Sequence, residues 1–403
     1  MPEFLPFKAL IPAKNPELVS SPPYDVLDLD ECRKIAKKNP LSFIKVSRPE
    51  LEMPDSINPY SEQVYQKALE NFNFLKENIP FIKDKEDFYY IYRLKMKEHI
   101  QIGVAALAST NDYKENRIKK HEKTRKDKED DRTKHILKIH SHSGPVLLTY
   151  KENKEIDEII SSYIQKNPPF IDFKAENDVY HSLWRIKNGR LTELFLKIDA
   201  FYIADGHHRA ASAFRVAEEI NKGKNLSGGH NYFLAVAFPA NQMKILPYNR
   251  LLMDLNGKTE DDLIDFIKSK FDIVVWNSHQ VQKTGQISLI TKNYTLIFDV
   301  LKFKKSSKPE ENLDVAILQE YILKEFFGII DPRTDKRIDF AGGIKGISFL
   351  KNELRDGKAK AAFAMYPVSV KEIMEISDSN GIMPPKSTWF EPKLRDALLL
   401  DEF

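Results

Sequence analysis

"FYIADGHHRAASAF", residues 201–214, changes character at its centre. Its first four residues form an apolar run of strand length, and its last five are small or apolar helix formers. Between them stand Asp205, Gly206, His207, His208 and Arg209. An apolar run broken by a glycine and followed by alanines reads as a buried strand, a turn and a helix. Gly206 can take backbone angles closed to other residues and lets a ligand approach the main chain. A helix opening near 207 presents amides that precede the intrahelical ladder. Such a start favours an anion by about 0.3–1 kcal/mol when exposed, and by up to about 2 kcal/mol when partly buried. Arg209 adds a planar fork of donors matched to phosphate oxygens. His207 and His208, with midpoints near pH 6.5, can donate to phosphate or carry protons. Asp205 could hold a metal ion or take a proton from a hydroxyl. An aspartate cap followed by surface residues would explain one or two of these five, but not the set. The segment therefore reads as a phosphate site, with Asp205 and His208 as the candidates for proton transfer.

Outward from this turn, "NYFLAVAFP" and "MKILPYNRLLMDL" read as strands, and "TEDDLIDFIKSKF" as a helix capped by Thr259 with acids in its first turn. "ISLITKNYTLIFDV" reads as a hairpin, "AAFAMYPVS" as a strand, and "VKEIMEISDSNG" as a helix stopped by Gly381. "NLDVAILQEYILKEFFG" reads as one amphipathic helix closed by Gly328. Upstream, "DFYYIYRLK" and "IQIGVAALA" form a hairpin pattern, "PVLLTY" a strand and residues 60–78 a helix. "SFIKVS" reads as another strand. The elements alternate without a regular βαβ period, so the expected class is α+β with mixed sheets and peripheral helices. Expected regions are 1–150, 151–255 and 256–403.

The chain has 403 residues, 42% hydrophobic, with 62 Lys and Arg against 59 Asp and Glu. Near-balance of charge and no evident helix-turn-helix argue against a dedicated nucleic-acid binder. One cysteine, Cys32, excludes an intrachain disulfide and a cysteine zinc site. No cationic leader with an apolar core opens the chain, and no apolar run approaches the roughly 20 residues of a membrane span. The cytoplasm is the expected location. His135, His140 and His142 show no zinc spacing with His207 and His208.

"SPPYDV" (21–26), "HEKT" (121–124), "DGHHR" (205–209), "LPYNR" (246–250) and "MPPKSTWFEPK" (383–393) follow one another in an order that resembles the family called domain of unknown function 1015. The DGHHR string is also similar to that of the free serine kinases of the ParB/sulfiredoxin-like superfamily. That resemblance implies a nucleotide-binding core, with the segment at a nucleotide's phosphates. It implies phosphoryl transfer from ATP or ADP, with Mg²⁺, to a small hydroxylated metabolite such as free serine or a hydroxy acid. A nucleotide-binding switch without turnover is the alternative. Only Asp205, Gly206, His207, His208 and Arg209 carry over one by one.

Between Lys114 and Lys128, eight Lys or Arg stand against three acids. Alone, that run reads as a solvated face. With the family resemblance it reads as a basic lid, with Glu122 as a base and Lys123, Thr124 and Arg132 on phosphate. Pro22 and Pro23 set a turn that presents Tyr24 and Asp25, either to a substrate or as packing and cap. Lys386, Ser387 and Thr388 follow a rigid Pro-Pro. They lack the glycines of a P-loop, and either cover a phosphate or belong to a segment pinned by Trp389 and Phe390. Arg250 is placed to meet a substrate or a buried acid.

Overall fold

Phe201–Asp205 is a strand, Gly206 follows with φ 93° and ψ 32°, and a helix occupies His207–Asn221. The computed structural model describes residues 1–224 and 226–403. By internal contacts the chain forms two units. The first comprises Met1–Lys120, Thr124–Met243 and Pro392–Phe403; the second comprises His121–Lys123 and Lys244–Glu391.

Among the described residues, nine strands of the first unit make one mixed sheet. Its order is Ile118–Lys119, Phe201–Asp205, Val146–Tyr150, Tyr232–Pro239, His99–Ser109, Tyr89–Met96, Val179–Ile186 and Ile171–Lys174, with Phe4–Leu5 added to His99–Ser109. Phe201 lies parallel to Ile118, and Ala235 parallel to Val146; the other pairs are antiparallel. The strand Val146–Tyr150 is buried at every position and Tyr232–Pro239 at all but the first. Continuous apolar runs of this kind suit strands covered on both faces. On the helix that begins at His207, Ala210 and Ala213 are fully buried with Phe201, Ile203, Leu148 and Phe233. Their small side chains let the helix lie close to the sheet, which fixes where its first turn falls. The helix Lys126–Ile139 is tied to it through Ser212 Oγ, which donates to Glu129 O (3.2 Å), and through Arg215 on Asp130.

"SFIKVS" is not a strand. Ile44–Ser47 is a helical turn, and Phe43, Ile44 and Val46 are all buried. Phe43 and Val46 pack with Val19, Phe72 and Ile139. Burial on several sides of a short segment overrides the strand preference of its β-branched residues.

The second unit carries a six-stranded antiparallel sheet among the described residues. Its order is Asp272–Trp276, Thr295–Asp299, Gln286–Thr291, Ala361–Met365, Tyr248–Leu252 and Ile338–Gly342. The helix Glu260–Lys270 starts at a capping box: Thr259 Oγ1 accepts from Asp262 N (3.1 Å), and Asp262 Oδ2 accepts from Thr259 N (2.8 Å). The single helix expected over 312–328 opens as Asp314–Leu318 and widens into a π-turn at Gln319–Leu323 before Gly328, at φ 68°. The stop of the helix Val370–Asp378 is Asn380, at φ 57°, rather than Gly381. Asparagine is the next most tolerant residue of that left-handed cap. The class is α+β with mixed sheets and peripheral helices, as the sequence predicted. No helix among the described residues is long and apolar enough to cross a membrane.

Candidate functional site

The turn at 205–209 is built as its sequence requires. Ala210 N donates to Gly206 O (3.0 Å), closing the first helical bond. A Cβ on Gly206 would lie 3.0 Å from both Cζ and Nε of Arg209. Glycine is therefore needed twice here, for its left-handed backbone and for the guanidinium folded over it. We expect Gly206→Ala to cost about 1–2 kcal/mol from the backbone alone, read as a lowered urea midpoint at unchanged m-value.

Arg209 turns inward. It is 8% exposed; Nη1 donates to Pro145 O and Nη2 to Asp205 Oδ2 (3.2 Å). Its Nε is buried with no hydrogen-bond partner among the described residues. Asp205 Oδ2 also accepts from Lys393 Nζ (3.4 Å). Burial pushes the Asp205 carboxyl up, but Lys393 and then Arg209 outweigh it and hold it at about 2. Such a carboxylate stays anionic across the physiological range. It suits a cation better than it suits a proton.

His207 is buried. His208 Nε2 accepts from Arg125 N (3.0 Å), so the chain just after Thr124 meets the DGHHR helix. Thr124 itself donates to Glu129. Glu122 and Lys123 belong to the second unit, where His121 O accepts from Met383 N (2.8 Å). Arg132 is a wall of the interior, committed to Asp131 (Nε to Oδ2, 2.9 Å) and to Ser47 O (3.1 Å). Its guanidinium lies 4.4 Å from the Tyr24 ring. Tyr24 is buried, and burial, with Asp25 adding, pushes its phenol up.

Tyr24, Ser47, Arg132, Gly144, Arg209 and Asp396 line a cavity of about 40 Å³. Asp396 lies on the C-terminal segment Pro392–Phe403, which runs across the first unit as a strap. Arg395 Nη2 donates to Ser20 O (2.6 Å), Asp396 N to Ser21 O (2.9 Å) and Ala397 N to Ser143 O (2.8 Å). Lys393 closes the "MPPKSTWFEPK" segment but was not singled out within it, and Asp396 lies outside every motif. The one sequence signal for Asp396 is a pair of charges, Arg395 and Asp396, set directly against the apolar run "ALLL" (397–400). His135 and His142 also line this cavity; burial first of all holds both neutral, at about 4. His135 Nε2 lies 2.8 Å from Val46 O. Among the described residues no group of three or more His, Cys, Asp or Glu is placed to hold a metal ion, and Cys32 is buried.

In the second unit, Arg250 is 3% exposed. Nη1 donates to Tyr248 O and Nη2 to Pro385 O (3.3 Å), and Phe340 lies 5.3 Å away. Burial pulls Arg250 down to about 9. It meets no buried acid: among the described residues it makes no ion pair. Ser387 Oγ donates to Pro384 O (2.6 Å) inside its own turn, Thr388 is half-buried and Lys386, at φ 56°, is exposed. Trp389 packs on Gly342, where a Cβ would lie 2.5 Å from its ring.

The family model described as protein of unknown function, DUF1015, matches residues 4–316. The chain belongs to the DUF1015 family. A search of curated proteins gave no match. Solved structures similar to this DUF1015 chain include SbnI with a C-terminal truncation from Staphylococcus aureus, 11% identical over 73% of this chain and 87% of that one, TM-score 0.40. Free serine kinase in complex with AMP is 12% identical over 73% of this chain and 92% of that one, TM-score 0.38. A conserved hypothetical protein from Pyrococcus furiosus is 13% identical over 73% and 95%, TM-score 0.37.

Proposed function

We propose that this DUF1015 chain is a nucleotide-dependent phosphotransferase acting on a small hydroxylated metabolite, with free serine and short hydroxy acids as first candidates. The observation that carries the reading is the strand–Gly206–helix turn, with Asp205, Arg209 and Lys393 converging on it. In this reading the first unit's sheet is a ParB/sulfiredoxin-like core. The start of the helix His207–Asn221, with His207 and His208, takes the phosphates of ATP or ADP. Asp205 would hold Mg²⁺, which commonly takes one or two carboxylates together with substrate phosphates; the ion would neutralise charge on the transferred group. Lys393 occupies that carboxylate as a cation here, and Arg209 fixes its direction. Phosphoryl transfer needs positioning and charge neutralisation more than covalent help from the protein, and a turn of this kind supplies both. In this reading Arg132, bonded to Asp131 and Ser47 O, serves the cavity wall rather than phosphate.

A nucleotide-binding switch without turnover is the second reading. It is favoured by the double ion pair that makes Asp205 a weak proton acceptor. The test is a thermal-shift screen with ATP, ADP and CTP, each with and without Mg²⁺, followed by mass spectrometry of serine and hydroxy-acid reactions. We expect a Tm rise with one nucleotide and a phosphorylated acceptor. A nucleotide shift without product selects the switch, and neither result ends both readings. Asp205→Asn separates the two further, because an enzyme loses rate while keeping much of its nucleotide affinity.

A further inference from the structure

If Asp205 is the cation holder, the hydroxyl substrate needs another proton acceptor, and the first unit contains one that no motif marks. Asp396 is 3% exposed and pinned to the SPPYDV loop through its backbone, donating to Ser21 O (2.9 Å) and accepting from Ser21 N (3.3 Å). Its Oδ2 accepts from Ser47 Oγ (3.3 Å). Its Oδ1 is buried and has no hydrogen-bond partner among the described residues. That oxygen lies over Gly144, where a Cβ would stand 2.8 Å from it and 3.4 Å from Arg209 Cδ. Any larger residue at 144 would close the space between the carboxylate and the DGHHR arginine.

A buried carboxylate oxygen left bare is costly unless something meets it in use. The cavity it lines, about 40 Å³, admits about three water-sized groups. That is room for a hydroxyl on a short arm. We propose that Asp396 is the proton acceptor for the hydroxyl substrate, an assignment that rests on the phosphotransferase reading. The substrate oxygen attacks the terminal phosphorus of a nucleoside di- or triphosphate and forms the new O–P bond. The bond from that phosphorus to the bridging oxygen breaks, and the shortened nucleotide leaves with the electron pair. The hydroxyl proton passes to Asp396 Oδ1 and from there to solvent after release.

The surroundings fit the task. Arg209 faces Asp396 from the DGHHR helix, Arg132 from the helix Lys126–Ile139, and Tyr24 and Asp25 from the SPPYDV loop. His135 and His142 complete the titratable lining and stay neutral. Burial raises the Asp396 carboxyl to about 7, against the pull of Arg209 and with Asp25 adding. A proton acceptor works best when it titrates near the working pH, which Asp396 does and Asp205 does not.

The experiment uses the full chain, the nucleotide found by the screen and the acceptor it turns over. Asp396→Asn is expected to lower kcat by about 10²–10⁴-fold, to keep the nucleotide-induced Tm shift, and to abolish an acid limb near pH 7 in kcat/KM. A kcat within threefold of wild type, with that limb intact, overturns the assignment and leaves the phosphotransferase reading standing. Absence of nucleotide-dependent product from the wild-type chain overturns both. Ser47→Ala covers the case in which Asp396→Asn does not fold. It removes a hydrogen bond that lowers the Asp396 carboxyl, so the acid limb must move to higher pH; an unmoved limb rejects Asp396.

Discussion

Replacing Arg209 by methionine will destabilise the first unit by about 3 kcal/mol, near the lower end of the range for breaking one partner out of a buried ion pair. Methionine keeps an unbranched stem against Gly206 and Gly144, so little packing is lost. What goes is the guanidinium. Pro145 O loses its donor, Asp205 loses one of its two cations, and Asp396 loses the strongest influence holding its carboxyl down. Lys393 still faces Asp205, which keeps the cost from the top of the range. Urea unfolding at pH 7 reads the change directly. A loss under about 1 kcal/mol would mean that the pair is screened like a surface bridge and that Arg209 is not the keystone of the turn.

Asp396→Asn will stabilise the chain at pH 8 by about 4 kcal/mol, and the gain will shrink to nearly nothing by about pH 4. Asp396 titrates near 7 when folded, against 3.8 for an ordinary aspartate. A raised carboxyl gives stability that is complete below its unfolded value and lost as pH rises through its folded one. At about 1.36 kcal/mol per unit, the wild-type chain carries nearly the whole penalty at pH 8. Asp401 behaves alike, raised to about 7 first of all by burial. His135 and His142 run in the opposite sense: depressed to about 4, they give stability that is present above pH 6.5 and lost as pH falls through 4. Two acids therefore offset two histidines between about pH 6.5 and 4. The wild type should show a plateau there and a decline above it, whereas Asp396→Asn should decline on acidification through the same window. Denaturant titrations at pH 5, 6.5 and 8 decide this. Equal stability of the two proteins at pH 8 would reject a buried, protonatable Asp396. The expected gain in the variant would mark a site that trades stability for function.

The strand–glycine–helix turn was legible because every signal for it is local: an apolar run, a glycine and a block of helix formers within fourteen residues. The capped helix at Thr259 and the hairpin at 286–299 were legible for the same reason. "SFIKVS" was misread because its burial comes from Val19, Phe72 and Ile139, which no window around residue 44 contains. The DGHHR arginine was legible as important, but its direction was not, since Pro145 and Gly144 set it from outside the motif. Asp396 is the extreme case. Its backbone partner, Ser21, and its side-chain partner, Ser47, lie at the other end of the chain, and no spacing rule reaches that far.

The strap Pro392–Phe403 follows the whole of Lys244–Glu391 in chain order but belongs with the residues that precede it. During translation, Asp205 and Arg209 emerge long before Lys393 and Asp396, so the charged cluster cannot be assembled as its first members leave the ribosome. The first unit waits on the second being made, and its last stitch is also the one that brings Lys393 to Asp205 and Asp396 to the cavity wall.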